Sequence, residues 1–579
     1  MPRLPNVLRW ASVYVTGREL WGEEMSEAEV RDALHRISVF DLLAYVGSLG
    51  AGLVIRPNPL SEEAQADLVA PIASGDEELI RALAAALGRK RILIHPQQTY
   101  HLARLAVLAA DRREADDLHQ GELMPLFRRL LFGIGDHMGT EIAGEDDVIS
   151  LELRHTAVNH DEERLGQWAF YYELFTDIWP LVSGAPDAEE AFRRYTGVSI
   201  AEYLALGFAI SAGLSRELAG RPVARLSIQN WLARVPIDAE KREAFLAALS
   251  GRLEDLRDSL LAEEQLRGPT TFGALAIEKR PLVREGDVLY VVDFAAFERR
   301  ATHGIFHLLA EGPEAEGKGR ELFTTPFGAA FQIWGERCLR RAESGNEEVR
   351  IFADEPYGPR KRRRDTPDIV LAYERNIICF ELVAGALRIA TLTHGDLDSF
   401  AADLERFIYK KATQLDKRIA DIRAGETAEI GLSNEGIHTI WPVIVTSVPF
   451  PVRPMIMASI RKELKKRGLL QLKGTGPISI IGAEELVALE GYVASTGESA
   501  LEVIRRWKSS ARTGDIYLKN YLFERLGEPI PRTANSDAMF QALMRRSYRL
   551  LFDEEPSPGI GEAMFSEDPP SPPNGDPAP

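Results

Sequence analysis

Asp368 and Glu381 are carboxylates in segments otherwise apolar enough to be buried. Asp368 follows Thr366-Pro367 and opens the run Ile369-Val370-Leu371-Ala372-Tyr373. Glu381 lies in Asn376-Ile377-Ile378-Cys379-Phe380-Glu381-Leu382-Val383. Their β-branched and apolar content reads as two short strands of a hairpin, with Glu374-Arg375-Asn376 as the turn. A buried carboxylate is costly unless it is paired or binds a metal. Two on adjacent strands can converge on one divalent cation, so the expected site takes a hard cation and the expected chemistry is phosphodiester hydrolysis.

The elements that must position this pair belong to a long soluble-type chain. At 579 residues, 45% hydrophobic and 27% charged, composition is ordinary for a globular protein of several domains. No apolar run reaches the roughly 20 residues of a membrane helix, and the N-terminus lacks a secretory pattern. The only cysteines are Cys338 and Cys379, which excludes a disulfide framework and a cysteine-rich zinc site. The expected location is cytoplasmic, without a membrane partner. Net charge is −18, but residues 350–525 carry 27 Lys/Arg against 23 Asp/Glu, a local balance of +4. A locally basic part on an acidic chain is compatible with contact to a polyanion.

Four regions follow from the patterning. Residues 1–265 read as mostly helical, with amphipathic stretches at Glu77 to Gly88, Glu163 to Leu174 and Ala239 to Leu260. Trp168, Phe170, Tyr171, Tyr172 and Phe175 recur at helical spacing, as a packed core would require. Residues 266–320 form a connecting segment: a hairpin of Ala276 to Val283 and Asp287 to Asp293 turned at Glu285-Gly286, then a helix from Phe294 to Glu311. Residues 321–552 read as helix (Pro326 to Arg341), strands from near Val349, Pro367 and Ile377, a long helix (Gly395 to Arg423) and a buried strand (Thr439 to Val448). A basic helix (Ser459 to Arg467), a strand (Ile478 to Ile481) and further helices complete the region. Residues 553–579, with eight prolines and seven acids but no base, read as a disordered acidic tail. The fold class is therefore α plus α/β, with a helical N-terminal region, a small mixed segment and a C-terminal αβββαβ core.

That order, with Pro367-Asp368 at one strand and Glu381 at the next, resembles the PD-(D/E)xK superfamily of restriction-endonuclease-like nucleases. The resemblance covers about Phe327 to Ile481, roughly a quarter of the chain. It implies that Asp368 and Glu381 bind Mg²⁺ (or Mn²⁺), with the Leu382 carbonyl completing the coordination. By the same resemblance Glu336, on the helix carrying Gly328-Ala329-Ala330-Phe331, is a further metal ligand. The lysine expected two residues after Glu381 is replaced by Val383. On a wheel of 100° per residue, Lys411 falls within the apolar stripe of Leu397, Leu404, Ile408 and Leu415, whereas Lys410 falls off it. A lysine on a buried stripe is unusual unless it meets a carboxylate or snorkels to an edge. The resemblance then places Lys411 as a migrated catalytic lysine, with Gln414 one turn on beside it.

The run Arg360-Lys361-Arg362-Arg363-Arg364 enters the Asp368 strand and offers cations to a nucleic-acid backbone, DNA being the expected substrate. Arg461-Lys462 and Lys465-Lys466-Arg467 would extend that path. The helical region is expected to bind a partner, sense a signal or oligomerise, which suits bacterial or antiviral defence by analogy of architecture. Two other classes stay open: a catalytically inactive nuclease fold that binds nucleic acid through Arg360 to Arg364, and an interaction scaffold. Gly474-Thr475-Gly476 lacks the Gly-Lys-Ser/Thr of a phosphate loop, and Ser447, Ser459 and Ser479 lack a nucleophile elbow.

Overall fold

The computed structural model describes residues 14–552 apart from 57–58, 110–119, 139–144, 159–163, 219–224, 232–236, 269–272, 316, 361–362, 386 and 511–513. The expected tail, Lys361 and Arg362 lie outside the described residues. The fold is mixed, with helices predominating over small sheets.

Residues 17–267 are mainly helical, and local signals set several helix starts. Ser26 and Glu29 form a reciprocal capping box, and Asp76 caps the helix Glu77–Gly88. The stretch expected to run from Ala239 to Leu260 is broken. Ala239–Leu249 ends at Ser250–Gly251, which pairs in parallel with Leu282 and Val283, and a second helix, Leu253–Arg267, follows. These residues join a four-stranded sheet in the order 225–227, 288–291, 282–285, 250–251.

The expected hairpin keeps its antiparallel pairing, Leu282 opposite Val291. Its first arm is shorter than expected, because Leu275–Lys279 is helical. The Glu263 carboxylate accepts the N–H groups of Leu275 and Ala276 at 2.9 and 3.1 Å, satisfying orphan donors of that helical turn. The helix expected over Phe294 to Glu311 is two helices, Phe294–Ala301 and Gly304–Ala315, which break at Thr302.

The C-terminal part is built on five strands: β1 (Arg350–Ala353), β2 (Ile369–Ala372), β3 (Asn376–Val383), β4 (Thr439–Thr446) and β5 (Ser479–Gly482). They lie in the sheet in chain order. β1–β2 and β2–β3 are antiparallel, while β3–β4 and β4–β5 are parallel. Helix α1 (Glu321–Ala342) precedes the sheet. Helices α2 (Leu397–Leu404) and α3 (Lys410–Arg423), joined by a π-helical turn at Glu405–Tyr409, lie between β3 and β4. Helix α4 (Pro454–Lys466) connects β4 to β5, and α5 (Ala483–Thr496) follows β5.

Strand alternation sends side chains to two faces. Ile369, Leu371, Ile378, Phe380 and Leu382 share a core with Phe331, Trp334 and Leu339 of α1. Val370, Ile377, Cys379 and Val383 share another with Leu404, Ile408, Ala412, Leu415 and Ile419. Gly335 lets α1 approach closely, since a Cβ there would strike the Leu382 side chain.

The helical region and the sheet share packing. Phe170 meets Trp334 edge-on with ring centroids 4.6 Å apart. The last helix, Ala534–Phe552, lies against Arg164–Glu173 and Ile200–Leu218, with Phe208 and Phe540 5.4 Å apart. The expected aromatic cluster at Trp168 to Phe175 is thus core. Among the described residues, no single helix is long and apolar enough to cross a membrane.

Candidate active site

Strand register brings the two carboxylates together. Ile369 lies opposite Phe380 in the antiparallel β2–β3 pair, so one step outward Asp368 faces Glu381. Residues directly opposite in such a pair project to the same face. Glu381 alternates with Cys379 and Val383, which puts it on the face covered by α2 and α3. The backbone N–H of Leu382 donates to Asp368 Oδ2 at 2.7 Å and fixes that carboxylate across the strand pair.

Lys411 reaches the same point from α3. Its Nζ is 2.7 Å from Glu381 Oε2 and 3.4 Å from Asp368 Oδ2. Side-chain exposure is 5% for Glu381, 20% for Asp368 and 21% for Lys411, so the cluster is a shallow recess with one open side. Val383 packs into the α2–α3 core where the motif expects a lysine. The ammonium arrives from the helix at the carboxylates that a lysine on β3 would have flanked.

The straight wheel put Lys411 in the middle of the apolar stripe; the observed stripe is Ala412, Leu415, Ile419 and Ile422, with Lys411 at its margin. The π-helical turn at Glu405–Tyr409 winds through less than about 100° per residue between α2 and α3, so a wheel phased from Leu404 does not carry through.

Electrostatics follow from this arrangement. Burial, then the negative charge of Asp368, raises the Glu381 carboxyl to about 7, against the opposing pull of Lys411 and Arg418. Burial pulls the Lys411 ammonium down, but Glu381 and Asp368 outweigh it and the net shift is upward. The apo site therefore stores one cation between two acids.

Sequence reasoning missed three neighbours. Arg418 lies seven residues after Lys411, on the same line of α3, and its charge acts on Glu381. That spacing was readable from the wheel. Asp354, at the end of β1, donates its N–H to the Asp368 carbonyl at 3.2 Å and adopts φ 45°, an uncommon conformation for a non-glycine residue. Burial, Asp365 and Asp368 raise its carboxyl. Tyr357 donates to Asp421 Oδ2 at 2.5 Å, anchoring the hairpin of Pro356–Tyr357 and Arg364–Asp365 to the C-terminal end of α3. No local signal announced either of these.

Other expected residues are placed differently. Glu336 sits on α1, which covers the opposite face of the sheet, and pairs with Arg340 at 2.8 Å; it does not join Asp368 and Glu381. Gln414 is exposed one turn beyond Lys411. Arg364 is bound to Asp421 and lies 3.3 Å from Glu426, which occupies its charge within the protein. Arg360 and Arg363 are exposed.

Among the described residues, no three His, Cys, Asp or Glu side chains gather as a metal group. The donor set is nonetheless of the right kind for Mg²⁺, which keeps most of its waters and takes one or two carboxylates. Asp368 and Glu381 supply two hard oxygen donors at one open recess. No protein-family model matches this chain, and neither a curated protein nor a solved structure matches it.

Proposed function

We propose that the chain is a metal-dependent nuclease acting on DNA, with α1 to β5 forming a restriction-endonuclease-like core. One observation carries the reading: a helix-borne ammonium lies within hydrogen-bonding reach of two carboxylates opposed across β2 and β3. Asp368 and Glu381 would hold Mg²⁺ or Mn²⁺, which when bound polarises the scissile phosphate and acidifies a coordinated water.

The protein's own groups have defined tasks. Asp368 is oriented by the Leu382 N–H and presents an oxygen outward. Glu381 must be ionised to act as a ligand, so its raised pKa ties the site to near-neutral or higher pH. Lys411 neutralises the pair in the free protein and faces the charge that develops on a phosphate oxygen during attack. β3 and α3 hold Glu381 and Lys411, and Asp368 precedes β2 by one residue and is tied to β3 through the Leu382 N–H. The helical region, as a partner- or signal-binding part, is consistent with a setting in bacterial defence.

A second reading has its own observation. Lys411 satisfies both carboxylates without a metal, as expected of an inactive fold that binds nucleic acid or serves as a scaffold. Cleavage of plasmid, linear and single-stranded DNA and of RNA, with Mg²⁺, Mn²⁺ or EDTA, separates the two. Metal-dependent cleavage lost in Asp368→Ala, Glu381→Ala and Lys411→Ala supports the nuclease. Nucleic-acid binding indifferent to metal and to Asp368→Ala, with no cleavage, supports the inactive fold.

A further inference from the structure

Helix α3 divides its surface in a way the carboxylate pair does not require. Ala412, Leu415, Ile419 and Ile422 are buried against the sheet. Lys410, Gln414 and Lys417, spaced i, i+4 and i+7, form one exposed line. Lys411 and Arg418, seven residues apart, form a half-buried line beside it, and Lys411 touches both acids.

The acids of α3 are engaged within the protein. Asp416 accepts the N–H of Leu470 at 2.8 Å, and Asp421 holds Tyr357 and Arg364. Among the described residues Lys410, Lys417 and Arg418 have no carboxylate within ion-pair distance; Arg418 neighbours the Tyr357 hydroxyl and acts at longer range on Glu381 and Asp354. The basic helix α4 is more fully paired, although its exposed Lys462 and Lys465 also have no carboxylate within ion-pair distance among the described residues. Arg461 pairs with Asp515, Arg467 with Glu405 and Glu463, and Lys466 with Glu463.

We propose that this face of α3 is the track along which a phosphodiester backbone runs into the site, contacted by Lys410, Gln414, Lys417 and Arg418. The inference rests on the nuclease reading of the same site and locates its polyanionic substrate. Lys410 to Lys417 spans about 10 Å at about 1.5 Å per residue. Over that length of duplex axis one strand carries about three phosphates, at about 3.4 Å of axial rise each. Arg418 borders the carboxylates, so the phosphate nearest it is the one presented for cleavage. At the far end of α3 the track meets the hairpin anchored by Tyr357, whose exposed Arg360 and Arg363 continue the positive surface.

The test is binding of the full chain to a fluorescent 20-base-pair duplex in EDTA, from low to moderate salt. Lys410→Ala/Lys417→Ala is compared with wild type and with Lys462→Ala/Lys465→Ala on α4. Each lost phosphate contact lowers the slope of log affinity against log salt by about 0.9. The α3 variant is expected to lose about 2 in slope and to bind at least about tenfold more weakly at low salt, with the α4 variant unchanged. An unchanged slope in the α3 variant, loss confined to the α4 variant, or no binding by wild type overturns the proposal. Binding needs no cleavage, so the two readings fail separately. An α3-dependent slope without Mg²⁺-dependent cleavage keeps the track and removes the nuclease. Cleavage with no α3 dependence does the reverse.

Discussion

Two clusters on opposite faces of the same sheet share one inventory, two acids and a cation, yet are built to different ends. Under α1, Arg341 contacts Glu490 through Nε and Nη2 at 2.8 and 3.1 Å, and Glu173 through Nη1 at 3.3 Å. Trp334 donates to Glu173 at 3.1 Å, and the Cys338 thiol lies 2.9 Å from Glu490. Those carboxylates are supplied mainly by α1, which carries Trp334, Cys338 and Arg341, and Glu173 also accepts from Asn535. Across the sheet, Glu381 has Lys411 as its one hydrogen-bond donor among the described residues, and Asp368 adds only the Leu382 N–H. A carboxylate accepts about four hydrogen bonds. The first cluster is the more fully engaged and ties α1 to its neighbours; the second leaves more oxygen lone pairs unengaged among the described residues.

The largest effect should come from breaking the more fully engaged cluster. Arg341→Met leaves Glu173 and Glu490 buried without a cation, at a cost of about 3–5 kcal/mol. Urea unfolding should show it as a large fall in midpoint. Lys411→Met should cost less than half as much, because Glu381 readily takes a proton and Asp368 reaches solvent. Equal losses would erase the distinction between the clusters.

Activity should sort them the other way. With saturating Mg²⁺, Lys411→Ala is expected to lower kcat about 10²- to 10³-fold, the usual consequence of removing one preorganised charge stabiliser. A variant of the α1 cluster that still folds, such as Cys338→Ala, should keep kcat within about threefold.

Acidity gives a subtler test. The folded-state pKa of Glu381 lies near 7, above its ordinary value of 4.5, so its contribution to stability is whole below about pH 4.5. It is lost as pH rises through about 7. In EDTA the folding stability should therefore decline over that window, by about 3 kcal/mol, and Glu381→Gln should flatten the decline. Mg²⁺ should restore stability at pH 8 and do little at pH 5.5. The smallest effect belongs to Arg364→Ala: its exposed ion pairs predict an unfolding midpoint close to that of wild type, measurable by the same unfolding curves.

Much of this architecture was legible because the local patterns agree with the fold. The β-branched runs around Asp368 and Glu381 carry period-2 information, so the hairpin was legible, but its turn is Glu374-Arg375, one residue shorter than expected with Asn376 inside β3, and that residue sets the register that opposes the acids. Lys411 was readable as a charged residue among apolar ones, although the π-helical turn made the wheel right about the partner and wrong about the phase. Glu336 reads the same on the wheel whether it faces a metal or Arg340, because only the placement of α1 on the other face decides. Arg364 looked free because its partners, Asp421 and Glu426, lie more than fifty residues away. The segment Leu275–Lys279 passed for a strand because the carboxylate that starts its helical turn belongs to Glu263 on another helix.

The last helix has a consequence in time. Ala534–Phe552 covers Arg164–Glu173 and Ile200–Leu218, yet more than 300 residues separate it from them. At about 5–20 residues per second, a ribosome needs about 15–60 s to deliver it. For that interval Phe208 and its neighbours wait without the cover Phe540 will provide. The nascent chain is thus exposed to aggregation for longer than its local helices take to form, and its yield should depend on how fast it is translated.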